Sequence, residues 1–185
     1  LAYAAGQDYD LHTADVRTAY LNAELEDDLD IWMRQPKGFE QTGDHGELLI
    51  CKLVKAIYGL KQGARRWIAT LKKGLKEMGF ICSESDPGVF TINRDGERMI
   101  LLTYVDDLIM ADNSENLRKD VMTMVHAKWE TTDITELEWC LGIKLERNRA
   151  KRTIAMSQAL YIKDTAARFE ENALRTGIRT NTPCG

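Results

Sequence analysis

Ile100-Leu101-Leu102-Thr103-Tyr104-Val105-Asp106-Asp107-Leu108-Ile109-Met110-Ala111 places two adjacent carboxylates between two apolar runs. Apolar run, polar pair and second apolar run read as a β-hairpin with acids at its tip. Removing two charges from water is expensive unless a cation or hydrogen-bond donors meet them. The residues alone allow two readings of the tip: an ordinary solvated turn, or a seat for a divalent metal.

Upstream of this hairpin, Val89-Phe90-Thr91-Ile92 and the run from Arg98 flank Asn93-Arg94-Asp95-Gly96, and Asp-Gly is a strong hairpin turn. Between Ala64 and Met78, apolar Ala64, Trp67, Ile68, Leu71, Leu75 and Met78 recur at spacings of three and four, which predicts a helix. Gly79 supplies its stop. Leu11 to Val16 alternates like a strand. Thr18 to Leu25 reads as a short helix running into the acids Glu24 to Asp30. Ile31-Trp32-Met33 and Leu48 to Leu53 read as two strands able to pair across a polar loop.

Downstream, Ser114 caps a predicted helix reaching about Trp129. Glu138 to Leu145 and Thr153 to Met156 read as strands around the basic loop Arg147 to Arg152. Ser157 caps a last helix through Phe169, and no period is visible after Asn172. Leu1 to Tyr9 reads as the end of a helix. Strands and hairpins broken by a few amphipathic helices predict an α+β fold, with helices on one face of a largely antiparallel sheet.

At 185 residues the chain is long enough for one domain, or one with an incomplete second. Its 44% hydrophobic and 29% charged residues exclude global disorder. Cys51, Cys82, Cys140 and Cys184 form no CxxC pair, which argues for free thiols in a reducing compartment and against zinc. There is no secretory leader and no apolar run of membrane-spanning length. The chain starts at Leu1, as a piece of a longer polypeptide would. The net charge of −4 hides an uneven distribution. From Leu48 to Ser83, Lys52, Lys55, Lys61, Arg65, Arg66, Lys72, Lys73 and Lys76 face one acid, Glu77, a local surplus of seven positive charges. Such a stretch suits phosphates, or simply a solvated helix face.

A third carboxylate, Asp15, ends the first alternating strand. Magnesium takes oxygen ligands and keeps several waters, so few protein carboxylates are required. Three acids on neighbouring strand ends would suit two such ions.

The ordered motifs go further. Asp15-Val16-Arg17-Thr18-Ala19-Tyr20-Leu21-Asn22 resembles the first catalytic motif of retroelement reverse transcriptases. Trp32 to Phe39 resembles the "YMxQPxGF" run of copia-type long-terminal-repeat retrotransposons, and Tyr58 to Trp67 their "YGLKQAPRxW" run. Tyr104-Val105-Asp106-Asp107 matches the YxDD box. Leu141-Gly142-Ile143 fits "FLGI", and Ser157-Gln158 with Tyr161-Ile162 fits "SQxxYI". These matches are collinear from Asp15 to Pro183.

The resemblance implies a polymerase palm-type antiparallel sheet, with a fingers-like hairpin at about 25–60 and the start of thumb or connection at about 137–185. It implies two Mg2+ ions (or Mn2+) held by Asp15, Asp106 and Asp107, of which Asp107 contributes least. Tyr20 would lie under the incoming sugar and select deoxynucleotides. Gln62 and Gly63 would meet the dNTP. Val105 would pack by the primer end, Leu141, Gly142 and Ile143 would grip the primer, and Lys72, Lys73 and Lys76 would face outward toward template phosphates. The implied partners are an RNA or DNA template with its primer, dNTP, an upstream integrase and a downstream RNase H, with no membrane. The implied setting is intracellular, in cytoplasmic particles and the nucleus.

Gly63-Ala64 departs from the family's Ala-Pro, losing a proline that pre-sets a helix start. Ile31-Trp32 replaces an aliphatic-tyrosine pair. The family's upstream fingers strands, with their triphosphate-holding cations, are expected to be missing. Two other functions fit parts of the sequence. One is an inactive relic with residual nucleic-acid binding. The other is a two-metal nucleotide cyclase, against which the Tyr58 to Trp67 run argues.

Overall fold

A computed structural model of the chain describes residues 1–26 and 29–176. Part of the acidic run and Cys184 therefore lie outside the described residues. After α1 (Ala2–Gln7) come β1 (Asp10–Asp15), a 3-10 turn at Ala19–Asn22, β2 (Trp32–Arg34) and β3 (Ile50–Lys52). Next are α2 (Gly63–Glu77), β4 (Ile81–Cys82), β5 (Val89–Arg94), β6 (Glu97–Tyr104), β7 (Asp107–Asp112) and α3 (Glu115–Lys128). The chain continues through β8 (Thr135–Glu136), β9 (Trp139–Cys140), β10 (Ile143–Asn148), β11 (Thr153–Ser157) and α4 (Ala159–Thr176). It divides into two compact units, residues 10–135 and residues 1–9 with 136–185.

The larger unit is built on a sheet ordered β4-β5-β6-β7-β1, with β8 at the outer edge. Every adjacent pair from β4 to β1 is antiparallel. Alternate residues Phe90 and Ile92, Met99 and Leu101, and Leu108 and Met110 give this sheet one apolar face. Against it lie Trp67, Leu71 and Leu75 of α2 and Leu117, Val121 and Val125 of α3, at the four-residue spacing of a helix stripe. Each large side chain sealed there contributes about 1.5–3 kcal/mol. The predicted helices α2 and α3 therefore share one face of an antiparallel sheet.

The hairpins follow local chemistry. Asp95 and Gly96 have φ of 52° and 89°, the doubly positive pair of a type I′ turn, which Asp-Gly adopts readily. Ser114 Oγ accepts the Leu117 N–H at 3.2 Å, capping α3 as predicted. β2 and β3 pair in the register Trp32↔Lys52, Met33↔Cys51, Arg34↔Ile50.

Three expectations need correcting. Thr18 to Leu25 is no α-helix. Only Ala19–Asn22 winds, as one 3-10 turn, and the chain is extended again at Ala23. Four residues give too few hydrogen bonds to nucleate a longer helix. Glu138 to Leu145 is not one strand. Leu141 and Gly142, with φ of 49° and 79°, turn the chain so that β9 folds back on β10. The apolar residues hid a turn whose only local signal is one glycine. The last helix runs beyond Phe169 to Thr176.

In the smaller unit β9, β10 and β11 form a sheet in the order β11-β10-β9. Asp8 ends α1 in the left-handed conformation and accepts from Arg147 Nη2 at 2.8 Å and Arg149 Nη1 at 3.0 Å. Cations of the basic loop are thus spent on structure. Cys51, Cys82 and Cys140 form no disulfide among the described residues. No described helix is long and apolar enough to cross a membrane.

Candidate active site

Asp15, the last residue of β1, stands directly opposite Asp107, the first of β7. Directly opposed residues of an antiparallel pair present their side chains on the same face. Asp106 is not at a strand end. Val105 and Asp106 are the two central residues of the tight turn between Tyr104 and Asp107, which pair with each other. The hairpin read from the apolar runs is present, with one acid in the turn and one on the strand.

The turn is held under strain. Val105 has φ of 57°, a value that β-branched residues rarely adopt, at a cost of about 1–3 kcal/mol. Two bonds fix it. The indole Nε1–H of Trp67 donates to the Val105 carbonyl, and the Val16 N–H donates to the Asp106 carbonyl at 2.9 Å. Trp67 is fully buried, and its ring meets Trp129 edge-on at 5.7 Å. α2 thereby reaches the tip of the acidic hairpin through one side chain.

Asp15 is fixed from the other side. Its N–H donates to Thr132 Oγ1 at 2.9 Å, and its carbonyl accepts the Thr132 N–H at 2.9 Å. One step on, the Arg17 N–H donates to the Glu130 carbonyl. The strand end is thus clamped by the segment after α3, a contact across more than 110 residues that no local signal announces.

All three acids are half-buried. Burial raises the Asp15 carboxyl above its ordinary value, and the charges of Asp106 and then Asp107 raise it further. Burial, then Asp106, does the same to Asp107. Asp106 is therefore the strongest charged neighbour of both. Such mutual repulsion is what a divalent cation relieves, and the donors are all hard carboxylate oxygens, which suits magnesium. The three side chains are not drawn together, however. Among the described residues, no three His, Cys, Asp or Glu side chains form a group able to hold a metal ion.

Tyr20 lies on the 3-10 turn, partly buried against the core. Tyr58 meets it edge-on, with centroids 4.5 Å apart and planes at 84°. Gly63 backs the same ring, since a Cβ built there would lie 3.6 Å from Tyr20 Cδ1 and 3.2 Å from the Ile57 carbonyl oxygen. Gln62 is the N-cap residue of α2, without a side-chain capping bond. Register thus links Asp15 to Asp107 and the adjoining Val105-Asp106 turn, and a separate contact links Tyr20 to Gly63, with Gln62 adjoining Gly63.

The remaining candidates lie elsewhere. Leu141, Gly142 and Ile143 form the β9–β10 turn of the smaller unit. Lys73 and Lys76 are exposed on α2, but Lys72 is half-buried rather than outward. The basic stretch is also less bare than its sequence suggests. Lys52 pairs with Asp30 at 2.6 Å and Arg66 with Glu26, both acids of the run before β2. Trp67, Tyr58 and Thr132 were missed as functional residues. The first two stood inside the Tyr58 to Trp67 run, where Trp67 read only as part of a core stripe. Thr132 carried no signal.

Comparison with known proteins adds a lineage. The family described as reverse transcriptase (RNA-dependent DNA polymerase) matches residues 1–180. The chain is 34% identical over 171 residues to the retrovirus-related Pol polyprotein from transposon TNT 1-94 of Nicotiana tabacum, covering 91% of this chain and 12% of that protein. It is 34% identical over 168 residues to the corresponding polyprotein from transposon RE1 of Arabidopsis thaliana, covering 91% and 11%. A putative transposon Ty5-1 protein of Saccharomyces cerevisiae is 28% identical over 171 residues, covering 91% and 52%. The chain therefore spans only a small part of the plant polyproteins it matches.

Proposed function

Because this chain belongs to the reverse transcriptase (RNA-dependent DNA polymerase) family of copia-type retrotransposon Pol polyproteins, we propose that its larger unit is the palm of an RNA-directed DNA polymerase. The reaction is transfer of a nucleotide from dNTP to a primer 3′-hydroxyl. One observation supports it above the rest: the register that sets Asp15 opposite Asp107, beside Asp106 in a strained, pinned turn.

In this reading Asp15 and Asp106, with Asp107, hold two divalent ions. Bound there, magnesium supplies Lewis acidity toward the attacking hydroxyl and the triphosphate. The protein's part is positioning. Thr132 and Val16 lock the backbone that carries Asp15 and Asp106, so only the carboxylate side chains turn to meet the ions. Tyr20 crowds a ribose 2′-hydroxyl, and Gln62 with Gly63 borders the nucleotide. The β2–β3 hairpin serves as fingers, and the Leu141-Gly142-Ile143 turn meets the primer. Template, primer and dNTP are the partners, within a longer polyprotein that also supplies integrase and RNase H.

A second reading is a non-catalytic relic that keeps residual nucleic-acid binding. It is favoured by the acids' failure to gather into a three-ligand group. Primer extension on an RNA template, with an upstream-extended version of this chain and magnesium, separates the two. Asp106→Asn should reduce extension by about 10³-fold without lowering the thermal melt. No extension above background from the unmutated extended protein would leave the relic reading.

A further inference from the structure

Tyr58 belongs to a quoted motif, yet the chemistry above gives it no task. Tyr58 is more than half exposed, at 56%. Its ring meets Tyr20 edge-on at 4.5 Å and 84°, inside the range of a favourable aromatic pair. The Tyr20 ring also meets Gly63, where an added Cβ would lie 3.6 Å from Cδ1. Tyr20 thus has two close neighbours, the Gly63 backbone and the Tyr58 ring. The Tyr58 phenol also lies in the field of the acids. Burial first, then Asp106, Tyr20 and Asp15, raise it above the usual phenol range, and a hydrogen bond with the Ala19 backbone opposes this. Ala19 is the residue just before Tyr20, so Tyr58 adjoins the segment that carries the gate ring.

We propose that Tyr58 is a positioning residue for nucleotide sugar selection, holding the Tyr20 ring upright against Gly63 so that it obstructs a 2′-hydroxyl. This rests on the reading of Tyr20 as the sugar gate. A tyrosine ring has two soft torsions, and removing one neighbour frees it to swing. The gate then loosens without any change at the three acids. Discrimination, the ratio of kcat/KM for dNTP over rNTP, should fall while kcat for dNTP holds, because the effect is on rejection of the wrong sugar.

The test uses the upstream-extended polymerase in four forms: unmutated, Tyr20→Ala, Tyr58→Ala and Tyr58→Phe. Tyr58→Ala should lower discrimination by about two- to tenfold, the scale of one aromatic pair. Tyr58→Phe, which keeps the ring, should retain it. In the present chain, proton NMR should show ring contacts between residues 20 and 58 that survive in Tyr58→Phe. The Tyr20 ring resonances should lose their ring-current shift in Tyr58→Ala. Relaxed discrimination in Tyr20→Ala but not in Tyr58→Ala overturns this inference and leaves the gate standing. Unchanged discrimination in both variants overturns the gate and this inference with it. A Tyr58→Phe protein as permissive as Tyr58→Ala assigns the effect to the hydroxyl and overturns the positioning role of the ring.

Discussion

Val105 sits where a β-branched residue is least comfortable, and Trp67 is what keeps its carbonyl in place. Trp67→Phe keeps most of the buried ring and removes the N–H. It should lower stability by about 1 kcal/mol from the lost bond, plus a packing term, and slow primer extension by the extended polymerase. Denaturant melts and single-turnover rates check both. Asp15 gives a prediction with a sign. Its folded-state pKa is raised, chiefly by burial and then by Asp106 and Asp107, so the fold binds its proton more tightly than the unfolded chain does. The stabilisation is full below the ordinary carboxylate pKa and is lost as pH rises through the raised value. At neutral pH the charged form opposes folding, so Asp15→Asn should raise the Tm of chelator-treated protein. The same change should abolish extension. A variant that melts lower than its parent at pH 7, but not at pH 3, would show the sign to be wrong.

Between elements, α2 meets the end of α3 at Gly74. A Cβ there would strike the Trp129 ring, with Cζ2 at 2.6 Å, and the Lys128 side chain. Trp129 is buried and leans on Trp67, which pins the acidic turn. Gly74→Ala improves helix propensity, yet it should destabilise by about 1–3 kcal/mol through overpacking. It should also impair extension more than its melt suggests, a discrepancy visible by comparing activity with fraction folded. The extent to which sequence disclosed these elements follows from the range of the forces involved. α2, α3 and the β5–β6 and β6–β7 hairpins were legible because a helix stripe, a Ser cap and an Asp-Gly turn act within a few residues. The break at Leu141 was hidden because a left-handed leucine leaves little compositional trace. The acids Asp106 and Asp107 were visible as a pair. The clamp by Thr132 and the Tyr20–Tyr58 stack depend on contacts across the chain, and no pattern in the sequence specifies them.

At the scale of the molecule, the β2–β3 hairpin leaves Trp32, Phe39, Leu48 and Ile50 more than half exposed, whereas Ile31 packs against the core. Exposed apolar surface on short strands invites association. The chain alone should therefore bind a hydrophobic dye and elute above its monomer mass in size-exclusion chromatography. It should also extend a primer far more slowly than the upstream-extended version, since a triphosphate needs cationic clamps. Equal rates would contradict this. The pairing of Lys52 with Asp30 and Arg66 with Glu26 has a further effect on how salt would act. A bare cation that meets a phosphate sets mobile ions free, and each such contact steepens the loss of affinity with salt by about 0.9 in logarithmic slope. A cation already neutralised by its own carboxylate has no condensed ion on the nucleic acid to exchange for, because that carboxylate is tethered and stays. Eight basic residues in the Leu48 to Ser83 stretch should therefore behave as fewer, and binding there should be weaker, with a shallower dependence on salt, than a fully bare patch would give.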